Sequence, residues 1–412
     1  MKLNKKLTSI LVTGAMIASI GGTTAMTSFA EEPANPTEGK TITISKQLNI
    51  AQGLSAPKTD FDFTFTKDTE DGNAPTAAMP DLSGKVAYDG EKDADGDGYV
   101  MKNVVVDPSA VTWTHAGEYV YTVKEANEAE TGITYDETSE YTVTIRVKND
   151  GNGGFAIADI VVKDKDGNKV DVDNPQYPDG DTDRTDDPES GMKFTNKYVK
   201  VADGTPTDLD EDDFPEGVDP ADETPEAASF VITKDVVGDF GDKTKQFKFA
   251  VTFDTTKTGI DDPTIKCYKV DAAGNVTVAN PADFTLAHGE KLIVEGAPVG
   301  TTYDVTENLA NADNAAAKYA AAIVVTEDGT ANDDKAVEYA AENAGKDGKV
   351  EKALVTEGEN GAAYTNKNAV EDEDTTPTGI LMQNAPYILV ATLAAGGLVI
   401  YLAKRREEEE EA

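Results

Sequence analysis

The chain is poor in the residues on which most enzymes and most disulfide-held secreted proteins depend. It has one cysteine, Cys267, two histidines, His115 and His288, and one tryptophan, Trp113. A single thiol excludes an internal disulfide framework, so any covalent staple must be made from other side chains. Two histidines leave little material for a catalytic triad or a zinc site, and no metal or cofactor is expected. Positive charge is scarce as well: 37 Lys and Arg stand against 77 Asp and Glu, a formal net charge of -40. Such a surface repels nucleic acid and anionic lipid and stays soluble, so nucleic acid is excluded as a partner.

The two ends settle the expected compartment. Lys2, Lys5 and Lys6 precede the uncharged stretch Leu7 to Ile20, and the triplet Ser28, Phe29, Ala30 comes just before Glu31. That is the layout of a cleavable secretory signal over residues 1-30. Ala385 to Ala403 is an uncharged stretch of 19 residues followed by Lys404, Arg405 and Arg406, which predicts a transmembrane helix over 385-403 with its tail held in the cytoplasm. Thr375, Thr376, Pro377, Thr378 and Gly379 stand just before it. Tetrad, span and basic tail together resemble the cell-wall sorting signal of Gram-positive surface proteins. The resemblance implies that a sortase cuts between Thr378 and Gly379. A single-pass anchor behind an ordinary Thr/Pro linker is the alternative, and Thr376 occupies a place where many such signals carry Leu or Val.

The body of the chain is written in strands. FDFTFT (61-66), EYVYTV (118-123), YTVTIRV (141-147), FKFAVTF (247-253) and KLIV (291-294) alternate or run apolar between Gly, Asp, Asn and Pro turns. This predicts an all-β protein of antiparallel sandwiches. Asn311 to Ala322 is Ala-rich and reads as a short helix or helical loop. Residues 199-228 turn to Asp, Glu, Pro and Thr with few large apolar side chains, the composition of a solvated linker. The expected organisation is a domain over 31-198, an acidic linker over 199-228, a second domain over 229-370, and a sorting segment over 371-412.

An internal repeat carries the main result. ITISK (42-46) is matched by FVITK (230-234), YTVKE (121-125) by YDVTE (303-307), and KFTNK (193-197) by AYTNK (363-367). Counting by two along each strand puts Lys46, Glu125 and Asn196, and again Lys234, Glu307 and Asn366, on faces otherwise filled by Ile, Val, Phe and Tyr. Each domain is thus expected to bury one lysine, one glutamate and one asparagine. For any one of them the ordinary reading is a snorkelling Lys, an edge Glu or a turn Asn. Six in the same order in two repeats favour the other reading.

An isolated charge in an apolar interior is costly enough that the group neutralises instead. A neutral lysine is a nucleophile. A protonated glutamate can bind the asparagine carboxamide and pass a proton to departing ammonia. The expected product is a Lys-Asn isopeptide bond, formed without an external enzyme because the groups are held together in a dry core.

At these residues the chain resembles the two-domain backbone pilins of Gram-positive sortase-assembled pili, with streptococcal-type isopeptide-linkage domains of immunoglobulin-like (CnaB-like) fold. TITISKQLNI (41-50), GITYDETSEYTVTIRV (132-147) and GEKLIVEGAPVGTTYDVTE (289-307) look like that family's signature stretches. The resemblance implies cross-link lysines at Lys46 and Lys234, cross-link asparagines at Asn196 and Asn366, and assisting acids at Glu125 and Glu307. It also implies an acceptor lysine for polymerisation shortly before the last strand of the first domain. DGNKV (166-170) nominates Lys169, with Lys163 and Lys165 as alternatives, although an acidic insert over 171-190 separates it from that strand. In QYPDG (176-180), Asp179 stands where another pilin motif has lysine. The implied partners are a sortase, further copies of the chain, peptidoglycan, minor pilins and a host surface.

Other stretches weigh less. DADGDG (93-98) begins like a calcium loop but offers Val104 where a bidentate Glu is needed, and it reads as an acidic hairpin turn. Trp113 and Cys267 read as core. The expected protein is a secreted, wall-attached pilus shaft subunit. The alternatives are a singly anchored adhesin that never polymerises and a surface hydrolase using paired carboxylates.

Overall fold

The computed structural model describes residues 41-68, 78-93, 96-126, 130-172, 191-207, 209, 227-310 and 318-370. The expected secretory signal, the sorting residues Thr375 to Gly379, the transmembrane stretch and Asp179 lie outside the described residues.

The first sandwich is built from β1 (Ile42–Asn49), β2 (Thr59–Asp68), β3 (Ser83–Tyr88), β4 (Tyr99–Val106), β5 (Gly117–Glu125), β6 (Ile133–Thr134), β7 (Tyr141–Asn149), β8 (Phe155–Asp164), β9 (Lys169–Val170) and β10 (Met192–Tyr198). One sheet has the order β4-β1-β10-β6 and the other β3-β2-β5-β7-β8-β9. Period-two alternation decides which side chains meet between them. Phe61, Phe63 and Phe65 of β2 and Tyr119, Tyr121 and Val123 of β5 face Ile44, Leu48 and Phe194 in one core. The first and last strands, β1 and β10, are neighbours and run parallel.

The second sandwich repeats that plan with β13 (Phe230–Val237) and β23 (Gly361–Asn368) as its parallel first and last strands. They sit inside a seven-stranded sheet, β16-β15-β18-β13-β23-β20-β21. Its members are β15 (Lys266–Val270), β16 (Val276–Val278), β18 (Lys291–Glu295), β20 (Tyr319–Glu327) and β21 (Thr330–Ala331). The facing sheet, β17-β14-β19-β22, uses β14 (Phe247–Asp254), β17 (Phe284–Leu286), β19 (Thr302–Asn308) and β22 (Gly348–Leu354). The protein is therefore all-β, as expected.

Two local expectations change. Tyr319 to Ala322 belong to β20 and pair with β23 from Asn368 to Thr365. Tertiary pairing outweighs the helix preference of alanine there, and the small side chains of Ala320 and Ala321 are buried in the sheet. Residues 311-317 lie outside the described residues. The second change concerns 199-228, where the described residues at both ends are packed rather than solvated. Val201 bridges Pro298, Ala202 donates to Ala297 O at 3.0 Å, and Thr205 and Thr207 are fully buried. Two short strands, β11 (Thr205–Pro206) and β12 (Ala227–Ala228), pair with each other. The 38 positions from Asn196 to Lys234 thus contain a hydrogen-bonded clip that brings the ends of the acidic stretch together. The two sandwiches also touch: Ser55 N donates to Glu357 at 2.9 Å, and a side chain at Gly300 (φ +90°) would collide with Ala51.

Candidate functional site: two buried Lys-Glu-Asn triads

Strand register brings the predicted residues together. Between parallel β1 and β10, Lys46 lies opposite Phe194 and Leu48 opposite Asn196, so Lys46 and Asn196 are diagonal neighbours on one face. Between β13 and β23, Lys234 lies opposite Tyr364 and Val236 opposite Asn366, which is the same diagonal. Glu125 ends β5 and Glu307 lies near the end of β19, each in the facing sheet of its sandwich. The three side chains therefore meet in the gap between sheets.

The contacts are short. Lys46 Nζ lies 2.8 Å from Glu125 Oε2, and Asn196 Nδ2 donates to Glu125 Oε1 at 2.7 Å. In the second sandwich Lys234 Nζ lies 2.8 Å from Glu307 Oε1, and Asn366 Nδ2 donates to the same oxygen at 2.7 Å. Solvent reaches none of the four lysine and glutamate side chains, and both asparagines are buried. Phenylalanines that alternation by itself places only in the core form the walls: Lys46 Nζ is 4.6 Å from the Phe61 ring centre and Lys234 Nζ 4.5 Å from that of Phe247. Their signal is present in the alternation of FDFTFT and FKFAVTF.

Burial sets the protonation chemistry. Desolvation lowers the pKa of Lys46 to about 8 against the opposing pull of Glu125, and it lowers that of Lys234 to about 8 against Glu307. Desolvation also raises the pKa of Glu125, against the pull of Lys46. Both shifts favour the neutral amine and neutral acid. A free amine, a carboxyl able to move a proton and a carboxamide bound to that carboxyl are the components of an intramolecular aminolysis.

The two triads differ at the asparagine carbonyl. Asn196 Oδ1 accepts a hydrogen bond from the Asp136 backbone N–H at 2.8 Å, whereas Asn366 Oδ1 has no hydrogen-bond partner among the described residues. Counting by two does not single out Asp136, because it lies in a turn outside the strand alternation, although it falls within the quoted stretch 132-147. A third trio of the same residue types occurs in the second sandwich: Glu327 accepts from Lys335 Nζ at 2.5 Å and from Asn332 Nδ2 at 2.7 Å. Its lysine and glutamate side chains are 25% and 16% exposed, so it lacks the desolvation of the other two.

The acceptor candidates share one hairpin. Lys163 in β8 pairs with Lys169 in β9, Lys165 lies in the turn between them, and all three are exposed. Asp164 accepts backbone bonds from Asp166 and Asn168 and shapes the turn. The insert over 171-190 begins and ends beside this hairpin, since Asp171 bridges Gly191. Distance in sequence between Lys169 and β10 therefore overstates their separation in space.

The remaining candidates are structural. Asp93 accepts turn bonds from Gly96 and Gly98 at 2.9 and 2.7 Å. Burial pushes the Cys267 thiol up to about 12, which removes it from nucleophilic chemistry. Trp113 packs edge-on against Tyr119 with ring centres 4.7 Å apart, and its ring N–H donates to Pro108 O at 3.0 Å.

Residues 42–199 match a Spy0128-like isopeptide containing domain, and residues 228–368 match a domain of unknown function, DUF7601. A curated pilin from Streptococcus pyogenes serotype M1 is 27% identical over 411 residues, covering 97% of this chain and 99% of its own. A pilus tip adhesin of Streptococcus pyogenes is 39% identical over 77 residues, 18% of this chain and 11% of its own. Among solved structures, the major pilin from Streptococcus pyogenes matches at 25% identity and a TM-score of 0.31, covering 80% of this chain and 99% of its own. The first sandwich thus coincides with the stretch that matches the Spy0128-like isopeptide containing domain, and the chain is similar over nearly its whole length to a streptococcal pilin.

Proposed function

We propose that the protein is a shaft subunit of a cell-wall-anchored pilus, each of its sandwiches closed by a self-made isopeptide bond. The observation that carries this reading is the pair of buried Lys-Glu-Asn triads, set on the same diagonal of the first and last strands in both sandwiches. The amine nitrogen of Lys46 or Lys234 bonds to the carboxamide carbon of Asn196 or Asn366, and the bond from that carbon to Nδ2 breaks. Glu125 or Glu307 takes a proton from the amine and delivers one to the departing nitrogen, which leaves as ammonia. The reaction occurs once per site and makes the chain its own product rather than an enzyme with turnover.

Intact mass tests this directly. Recombinant residues 31-378 are expected to be lighter than their sequence by two ammonia molecules, with Glu125→Ala restoring one and Glu307→Ala the other. The partly exposed trio of Lys335, Glu327 and Asn332 should contribute no third loss, because solvent reaches the charged groups there. An unmodified mass in a folded sample would overturn the cross-link reading.

Assembly follows the same chemistry between chains. In this reading a sortase cuts after Thr378 and joins it to a lysine of the next copy, with Lys169 favoured and Lys163 or Lys165 as alternatives, and the last subunit is passed to peptidoglycan. An exposed hairpin edge gives an extended enzyme-bound segment access to all three lysines. Peptide mapping of native polymers should find Thr378 in amide linkage to one of them. Thr378 attached only to cell-wall peptide would instead identify a singly anchored adhesin.

A further inference from the structure

We propose that Asp136 is a positioning residue for the first cross-link, gripping β10 so that the Asn196 carbonyl meets Lys46 already polarised. The inference rests on the isopeptide reading above. Asp136 holds the strand at two adjacent points. Its backbone N–H donates to Asn196 Oδ1 at 2.8 Å, and its carboxylate Oδ2 accepts from the Thr195 N–H at 3.2 Å. The other carboxylate oxygen accepts from Thr138 N and Oγ1, both at 2.9 Å, and from Ser139 N at 3.0 Å. The turn that presents the Asp136 N–H is therefore tied to the strand that carries the reacting asparagine.

With Nδ2 bound to Glu125 and Oδ1 bound to Asp136, the carboxamide has one orientation. Attack by Lys46 Nζ puts negative charge on Oδ1, where the Asp136 N–H already points. As the carbonyl re-forms, the bond from carbon to Nδ2 breaks and ammonia leaves with the proton supplied by Glu125. Burial disfavours ionisation of Asp136, but the bonds from Ser139, Thr195 and Thr138 outweigh it and hold its pKa at about 2. It stays a carboxylate throughout the working range, so the grip does not loosen with pH. The second sandwich lacks this device among the described residues. There Asn366 is flanked by the continuous strand β20, with Ala321 opposite, and its Oδ1 is unpartnered.

The two sites of one molecule provide the test. The full chain is pulse-labelled with heavy lysine during expression, chased and digested. Peptides carrying the Lys46–Asn196 and Lys234–Asn366 links are then followed against time. The first link is expected to complete before the second in the unsubstituted chain. Asp136→Ala should slow the first link by about tenfold or more and leave the second unchanged.

A pH profile separates this role from a merely structural one. The charged groups facing Lys46 are Glu125 from β5 and Asp136 from the turn after β6, and the Tyr88 hydroxyl from β3 binds the Lys46 carbonyl at 2.7 Å. Removing the negative charge in Asp136→Asn frees the amine at lower pH, so the half-maximal rate of the first link should move to lower pH. If Asp136→Ala loses trypsin resistance in the first sandwich, the same rates are measured on Asp136→Asn, which can keep the Thr138 and Ser139 contacts. An unchanged ratio of the two rates, or slowing with no shift in the pH profile, would overturn the proposal. Absence of both links from the unsubstituted chain would overturn the isopeptide reading with it.

Discussion

Lys46→Ala is expected to convert a first sandwich that does not extend under load into one that unfolds in a single step of roughly 50 nm, at about 3.3–3.6 Å for each of the roughly 150 residues released. The prediction follows from the path of tension. Force enters at the start of β1 and leaves at the end of β10, and these strands are parallel neighbours. A bond from Lys46 to Asn196 joins the two strands directly, so the chain between those residues carries no tension. The second sandwich is protected in the same way between β13 and β23. What remains free to extend is the connection between Asn196 and Lys234. Its first event should be release of the β11–β12 clip, which holds back roughly 20 residues and so yields at most about 7 nm. Single molecules pulled end to end should show that small event alone in the unsubstituted chain. Full-length unfolding steps for both sandwiches would mean that the bonds do not bear the load.

The second large effect is on thermal stability and its dependence on pH. Asn196→Ala removes the first cross-link, which closes a loop of about 150 residues, and by analogy with a disulfide costs about 5 kcal/mol of unfolded-state restriction. For a domain of this size the melting temperature should fall by roughly 10–20 °C. The substitution also leaves Lys46 as a buried amine with a folded pKa of about 8 against an ordinary value of 10.5. Between those values the unfolded state binds a proton that the folded state has lost, so stability rises with pH through that window and the penalty is fully present below about 8. The expected recovery approaches ~3 kcal/mol. An amide does not titrate, so the unsubstituted chain should lack this slope. Urea melts of the first sandwich at neutral pH and near 10 would show it. Equal midpoints for variant and unsubstituted chain at neutral pH would show that the bond adds nothing to stability.

Much of the site is legible in the sequence because strands have a period of two. Lys46 interrupts the row of Ile42, Ile44, Leu48 and Ile50, and that interruption is visible without coordinates, as is its recurrence at Lys234. The acids and asparagines are visible by the same count. Alternation reports which face a side chain occupies, and a residue that is polar on an apolar face reports chemistry. The residues that escape this count do not lie on an alternating row or do not differ from it. Asp136 acts partly through its backbone N–H, which is the same for nearly every residue type. Phe61 and Phe247 look like any other core phenylalanine.

The sequence alone determined that the protein is all-β, that it is built twice on one plan, and that six polar side chains occupy apolar faces, because composition, alternation and repeat order are local properties of the chain. Tertiary structure decided what depends on neighbours distant in sequence. The parallel pairing of first and last strands sets Lys46 diagonal to Asn196. The pairing of Thr205–Pro206 with Ala227–Ala228 turns an acidic stretch that reads as a spacer into a clipped excursion, and the Asp171 to Gly191 bridge returns Lys169 to the neighbourhood of β10. A strand's own residues specify its face but not its partner. The partner is selected by the burial and backbone hydrogen bonding of the whole sheet.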